Sequence, residues 1–307
     1  MEAKIKKVCK KCSSESIKVY LRTIRRLYKL INTGEVPDSV SWLAKEELEK
    51  KYKKLSLNKR RHLSISAVKL SQAYGNKKLE EKWSKHMYSD SEAYNKQRNL
   101  NKVTDVEREK WPSGGYAALK KASTEFKRRI SKVFKTEPSL KNLYLYSKYV
   151  ILRFYASVAM RNDLASFTLK KVGDTSNYLT RAKGQYTVHM RSFKTKKFVG
   201  ETEITFDKNI SKVIFAYIKY RTKLDIKHDF LLSNQKGQPL SKSALGKILA
   251  KLTSDLLSKK ISTRIIRVLK ATAHKKQIDE MTNLAKEMQH SLKTQGQYTR
   301  KVKDDGD

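Results

Sequence analysis

The sequence predicts a mainly α-helical fold carrying one small antiparallel β-sheet. Apolar residues recur three or four positions apart along most of the chain, the spacing of helices with one buried face. Strict alternation of apolar and polar residues is confined to one stretch, 177–206. Between 89 and 115 the periodicity fades, and Pro112, Gly114 and Gly115 punctuate its end, which divides the helices into two groups.

Residues 1–12 read as a frayed basic arm. Ser13 or Ser14 caps the first helix, and Ile17, Tyr20, Leu21, Ile24, Leu27, Tyr28 and Ile31 carry it on until Asn32, Thr33 and Gly34 stop it. A second helix over 41–55 turns Trp42, Leu43, Leu48 and Tyr52 inward. A third over 58–74 uses Leu63, Ile65, Val68 and Leu70, and a shorter fourth covers 77–88. Residues 13–88 are therefore expected to form a helical bundle with basic outer faces, 89–115 a linker, and 116–307 a second domain. That domain opens with helices over 116–134 and 139–158, the latter started by Pro138. In the β region Tyr186, Val188 and Met190 face inward while Thr187, His189 and Arg191 face outward; 194–197 make the turn and 198–206 return. Helices over 209–224, 241–257, 263–275 and 279–288 follow, and Tyr298 lies in a polar segment after the last.

The 307 residues include 69 Lys and Arg against 30 Asp and Glu, a formal charge of +39. The basic residues run along the whole length, so the field is that of a polyanion binder. No apolar run approaches the roughly 20 residues that span a bilayer, and no signal peptide is expected ahead of residue 30. Nucleic acid, in the cytoplasm or nucleus, is the expected partner, not a membrane, and secretion is not expected. The only cysteines, Cys9 and Cys12, form a lone CKKC. Zinc needs four ligands, so the pair reads as two free thiols, with a redox pair or a zinc ligand shared with a distant histidine as the alternatives. A disulfide scaffold is excluded by the count.

A tyrosine set late among Lys and Arg raises the question of attack on a phosphodiester. A phenol with a pKa of about 10 is ionised to only roughly one part in a thousand at pH 7, and the phosphate repels the phenolate. Guanidinium groups ease both obstacles, because they stay charged and grip two phosphate oxygens in a fork. They also stabilise charge developing at pentacoordinate phosphorus. A lysine at a mobile turn can protonate the leaving 5′-oxygen, and no metal, cofactor or ATP is required. An acidic cluster of the kind a metal-dependent nuclease needs does not stand out.

Candidate groups for this chemistry occur in order along the second domain. Arg161 lies in SVAMRNDLASFTL at a helix junction, and Lys194 and Lys196 lie in the hairpin turn SFKTKK. Arg264 and Arg267 lie in RIIRVLKAT, His290 in MQHS, and Tyr298 beyond it. At these residues the chain resembles the tyrosine recombinase (phage integrase) family, over roughly 116–301. FLLSNQKGQPLS, 230–241, is similar to the family's connector between sheet and later helices, and RNDLAS is closer to the viral and mobile-element branch.

The resemblance implies the tyrosine recombinase catalytic fold preceded by a helical core-binding (DNA-binding) domain. It implies a site-specific recombinase or integrase that cleaves DNA through a 3′-phosphotyrosyl intermediate on Tyr298 and assembles as a homo-tetramer on double-stranded DNA. Arg161 and Arg267 would clamp the scissile phosphate, His290 would assist, and Lys194, or Lys196 given the ambiguous turn register, would be the general acid. Two positions depart from the family pattern. The first residue of its His-x-x-Arg box is Arg264, and a guanidinium is no general base at neutral pH. The acidic residue usual three places after the first arginine is Leu164, which leaves Asp163 to orient Arg161. Nine residues follow Tyr298, little chain for the exchange helix some relatives use. A type IB topoisomerase-like or telomere-resolving enzyme, and a non-catalytic DNA-binding protein on a recombinase scaffold, are the alternatives.

Overall fold

A computed structural model describes residues 1–292, in two compact units, the first 1–103 and the second beginning at Thr104. The first holds α1 (Glu2–Val8), α2 (Ser14–Tyr28), a 3-10 turn (Ser41–Ala44), α3 (Glu46–Lys53), α4 (Leu57–Ala73) and α5 (Lys77–Asn99). Ser13 caps α2 by accepting from the Ser16 amide, and Asn76 caps α5 by accepting from Leu79, each satisfying one of the free amides of a first turn.

Residues 1–12 are a packed element and not a frayed arm. Ile5 and Cys9 fall one helical turn apart on α1, and both are buried in the core of this unit with Ile24, Leu27, Leu43 and Trp83. Cys9 and Cys12 are free thiols, and burial pushes the Cys9 thiol up. The expected 41–55 helix is broken at Lys45, whose ψ of 130° is extended. Trp83 is fully buried and donates from its indole to Leu43 O. Buried Asp90 accepts from the Tyr52 hydroxyl and pairs with Arg60 at 3.1 Å, so the polar residue on the inner face of α5 is satisfied.

The segment 89–115, expected as a linker, is largely built into the two units. Helix α5 runs on to Asn99, beyond the point where its apolar spacing ends. Next come α6 (Asp105–Glu109), closed by a capping box between Thr104 and Glu107, and Trp111, which packs on the second unit's core.

The second unit continues with α7 (Ala117–Arg129), a 3-10 turn (Ser131–Phe134) and α8 (Leu140–Tyr155). A further 3-10 turn, Asn162–Ser166, leads into β1 (Phe167–Thr168), β2 (Asn177–Ala182) and β3 (Gln185–Met190). The short α9 (Lys196–Val199) and β4 (Thr202–Thr205) complete the hairpin. Helices α10 (Lys208–Arg221), α11 (Lys242–Leu257), α12 (Thr263–Ala273) and α13 (Lys275–Glu287) follow. The order β1-β2-β3-β4 is antiparallel from β2 to β4. However, β1 pairs parallel to β2, so the sheet is mixed; a two-residue strand has no periodicity to read. The alternation expected in β3 is present, with Tyr186, Val188 and Met190 buried. Helix α8 supplies much of the core through Val150, Ile151, Phe154 and Tyr155, packed with Ile210, Ile214 and Tyr217 of α10 and with Leu245 and Leu249 of α11. Among the described residues no helix is long and apolar enough to cross a membrane.

Candidate active site

Arg161 immediately precedes the 3-10 turn Asn162–Ser166, and its backbone is held from inside the core. The hydroxyl of fully buried Tyr155 donates to Arg161 O at 2.7 Å, and Tyr116 donates to Tyr155 O at 3.1 Å. Burial pushes Tyr116 up to about 12 and raises Tyr155 further, so both phenols stay protonated and act as struts. Leu164 and Ala165 are buried on the inner side of the turn.

Asn162 ties the turn to two later helices, donating to Lys242 O at 3.0 Å and accepting from the Thr263 hydroxyl at 2.9 Å. A Cβ on Gly246 would come within 3.1 Å of the Asn162 amide nitrogen, which shows how closely α11 approaches. Asp163, expected to orient Arg161, is buried and instead takes the ammonium of Lys242 at 2.8 Å.

Helix α12 buries Ile265, Ile266 and Leu269 and presents Arg264 and Arg267, one turn apart, beside this loop. Burial first, then the positive charges of Arg161 and Arg264, hold Arg267 below the ordinary guanidinium range, with Asp163 opposing. Arg161 and Arg264 are therefore each within electrostatic reach of Arg267. Arg264 lies in the first turn of α12, where the helix dipole disfavours a cation. Its partner is Glu107, buried on α6, at 3.0 Å, while Arg267 donates to Thr263 O at 3.3 Å.

The turn that carries the hairpin lysines meets Arg161 through Thr195, whose hydroxyl accepts a long 3.5 Å hydrogen bond from Arg161 Nη1. Asn177, almost fully buried, sets this register with all four of its hydrogen-bonding positions. It donates to Ser166 Oγ at 2.9 Å and Ser192 O at 2.8 Å, and accepts from the amides of Arg191 and Ser192 at 2.8 Å each. It thus staples the end of the Arg161 turn to the start of the lysine turn. Asn177→Ala is expected to destabilise the second unit by about 2–3 kcal/mol, because several polar groups lose a buried partner; denaturant unfolding would read this. Lys196 pairs with Glu201 at 3.0 Å. Lys194 is exposed in the turn and has no ion pair among the described residues.

His290 follows α13 in a tight turn. Gln289 is left-handed at φ 54°, and the amides of Gln289 and His290 bond to Lys286 O and Ala285 O, each at 3.0 Å, the Schellman closure of a helix end. His290 is half-buried there. Tyr298 lies outside the described residues.

Of the sequence candidates, Arg161, Arg264, Arg267 and the turn carrying Lys194 and Lys196 are thus gathered in the second unit. Sequence reasoning missed Glu107, Asn162, Lys242, Thr195 and Asn177. Only Asn162 and Thr195 carried a signal, as neighbours of Arg161 and of the hairpin lysines. Among the described residues no group of three or more His, Cys, Asp or Glu side chains is placed to hold a metal ion. Chemically, the arrangement offers forked donors and uncompensated positive charge, which suits a tetrahedral phosphate.

No protein-family model and no curated protein matches the chain. Among solved structures, the chain is similar to the XerH site-specific recombinase bound to difH substrate in a pre-cleavage complex. The TM-score is 0.52 and the identity 17%, over 96% of this chain and 80% of that one. A likeness to the XerA recombinase, with a TM-score of 0.37 and 12% identity over 98% and 93% of the chains, is too loose to carry an argument.

Proposed function

We propose that this chain, whose fold is that of the tyrosine recombinases, cuts and rejoins DNA strands through a 3′-phosphotyrosyl intermediate on Tyr298. The observation that carries this reading is that half-buried Arg267 lies within electrostatic reach of Arg161, while the nearby carboxylates are already engaged, Glu107 by Arg264 and Asp163 by Lys242. Like charges held together in a partly desolvated site oppose folding; a phosphodiester between them relieves the repulsion and is bound by it.

Arg161 and Arg267 clamp the non-bridging oxygens as charge builds at phosphorus, and His290 adds a hydrogen bond. Lys194 delivers a proton to the leaving 5′-oxygen, since Lys196 is engaged by Glu201. Arg264, neutralised by Glu107, supplies no base. A second strand's 5′-hydroxyl reverses the step, conserving bond energy without ATP, and concerted exchange of two duplexes calls for a homo-tetramer. The first unit, with its basic outer faces, serves as the core-binding domain. A site-specific integrase of a virus or mobile element, acting wherever its DNA resides, is the specific form of this proposal.

The test is a duplex nicked near the cleavage site, which traps the covalent stage, incubated with the full chain in EDTA. A denaturant-resistant protein–DNA adduct is the expected result. The second reading, a non-catalytic DNA-binding protein on this scaffold, is favoured by Arg264 in place of a general base. Tight binding with no adduct on any nicked duplex would select it.

Lys194→Ala is expected to slow cleavage by roughly 10²-fold. A substrate with a 5′-thio leaving group, which needs no proton, should restore the rate, whereas Lys196→Ala should show little slowing to restore. Rescue of Lys196→Ala alone would transfer the acid role to that residue.

A further inference from the structure

The segment that carries Lys194 and Lys196 and meets Arg161 through Thr195 holds a second group with no role in proton transfer. Phe198 is 77% exposed, and its neighbour Val199 60%. Leaving a phenylalanine in water forfeits roughly 2–3 kcal/mol relative to burying it. The segment does not need Phe198 as an anchor, because Phe193 already packs on the core.

The position of Phe198 is also well defined. The amides of Phe198 and Val199 bond to Thr195 O at 3.0 and 3.1 Å, and the Gly200 amide bonds to Lys196 O at 2.7 Å. Gly200, at φ 79°, takes the left-handed conformation that ends α9 and turns the chain into β4. The ring therefore sits one helical turn beyond Thr195, the residue that contacts Arg161. The Lys197 ammonium lies 4.7 Å from the ring centroid, and Lys194 and Lys196 belong to the same short segment of chain. An exposed ring touched by an ammonium on a lysine-rich segment suits a partner that is anionic outside and aromatic within. A DNA duplex has that construction, with phosphates at its surface and stacked bases inside.

Resting on the DNA reading given above, we propose that Phe198 is a wedge that enters the base stack next to the phosphate held by Arg161 and Arg267. Apolar side chains inserted between base pairs unstack one step and kink the duplex. Pyrimidine–purine steps such as TA and CA yield most easily. Phe198 would thus select a deformable step beside the cleavage point without reading a base edge, and the kink would open the scissile phosphate to the nucleophile.

The experiment uses the full chain and a mixed-sequence duplex in which 2-aminopurine replaces adenine at TA and CA steps. Saturating wild-type protein is expected to raise the fluorescence roughly two- to fivefold as the probe unstacks. Phe198→Leu, still an apolar wedge, keeps most of that rise, and Phe198→Ala loses most of it, while the salt dependence of binding stays the same in all three. Equal rises for wild type and Phe198→Ala, or no rise at saturation, overturn the wedge and leave the DNA reading standing. Failure of the wild type to bind the duplex overturns both. Should Phe198→Ala instead lower the sedimentation coefficient of the DNA-free protein, the ring is covered by a second copy of the chain, and the wedge is again overturned.

Discussion

In the Tyr298→Phe variant the covalent protein–DNA adduct is expected to vanish, a fall of roughly four orders of magnitude or more in cleavage, with duplex binding unchanged. The expectation rests on what the other tyrosines near the clamp are doing. Tyr155 lies closest to Arg161 along the chain, but its hydroxyl is committed to Arg161 O, and burial raises its pKa well above the free phenol. Tyr116 is committed to Tyr155 O and pushed up to about 12. Neither can present a phenolate to a phosphate bound from solvent, so neither replaces Tyr298. Trapping on the nicked duplex followed by denaturing electrophoresis reads the result. An adduct that persists in Tyr298→Phe would remove this residue from the mechanism and send the search to another nucleophile.

Arg267→Ala is expected to slow strand cleavage by roughly 10²–10³-fold without loss of stability. Arg267→Lys should recover little, since a point charge does not reproduce the two-oxygen fork. The stability half of the prediction follows from the charges around Arg267. Burial and the positive charges of Arg161 and Arg264 all work against its ionised form, and the folded chain offers it a 3.3 Å bond to Thr263 O. Removing it relieves repulsion about as much as it forfeits contact. A functional site that strains its own fold is the usual cost of preorganised charge. Denaturant unfolding run beside the kinetics checks both halves. A loss of more than about 3 kcal/mol would mark Arg267 as structural, on the scale of breaking a buried ion pair.

The departure at Arg264 changes meaning once Glu107 is in view. From the chain alone, an arginine in the place of a histidine removes a base. In the fold it is an arginine in the first turn of α12 neutralised by a buried carboxylate, so the charge is tolerated where the helix dipole would expel it. Glu107 lies in a stretch whose apolar periodicity is lost, and nothing local marks it as part of a site. Asp163 shows the converse. Its nearness in sequence to Arg161 makes it look like an orienting carboxylate, yet Lys242, far along the chain, takes that carboxylate.

The longer helices, the alternation of β3, and the order of Arg161, the hairpin lysines, Arg264 and Arg267 could be read from the chain. Helical spacing and period-two alternation are local properties, set by which neighbouring side chains must face a core. The same locality explains the errors. The arm 1–12 looks frayed because Ile5 and Cys9 are too few to show a period, and β1 is two residues that exist as a strand only because β2 lies beside them. Convergence itself is a tertiary matter. It is decided by polar groups joining elements that lie apart in sequence: almost fully buried Asn177 between two turns, and half-buried Asn162 between the Arg161 turn and two later helices. A hydrogen bond across such a separation leaves no periodic trace in the chain, because its partners are chosen by the folded geometry.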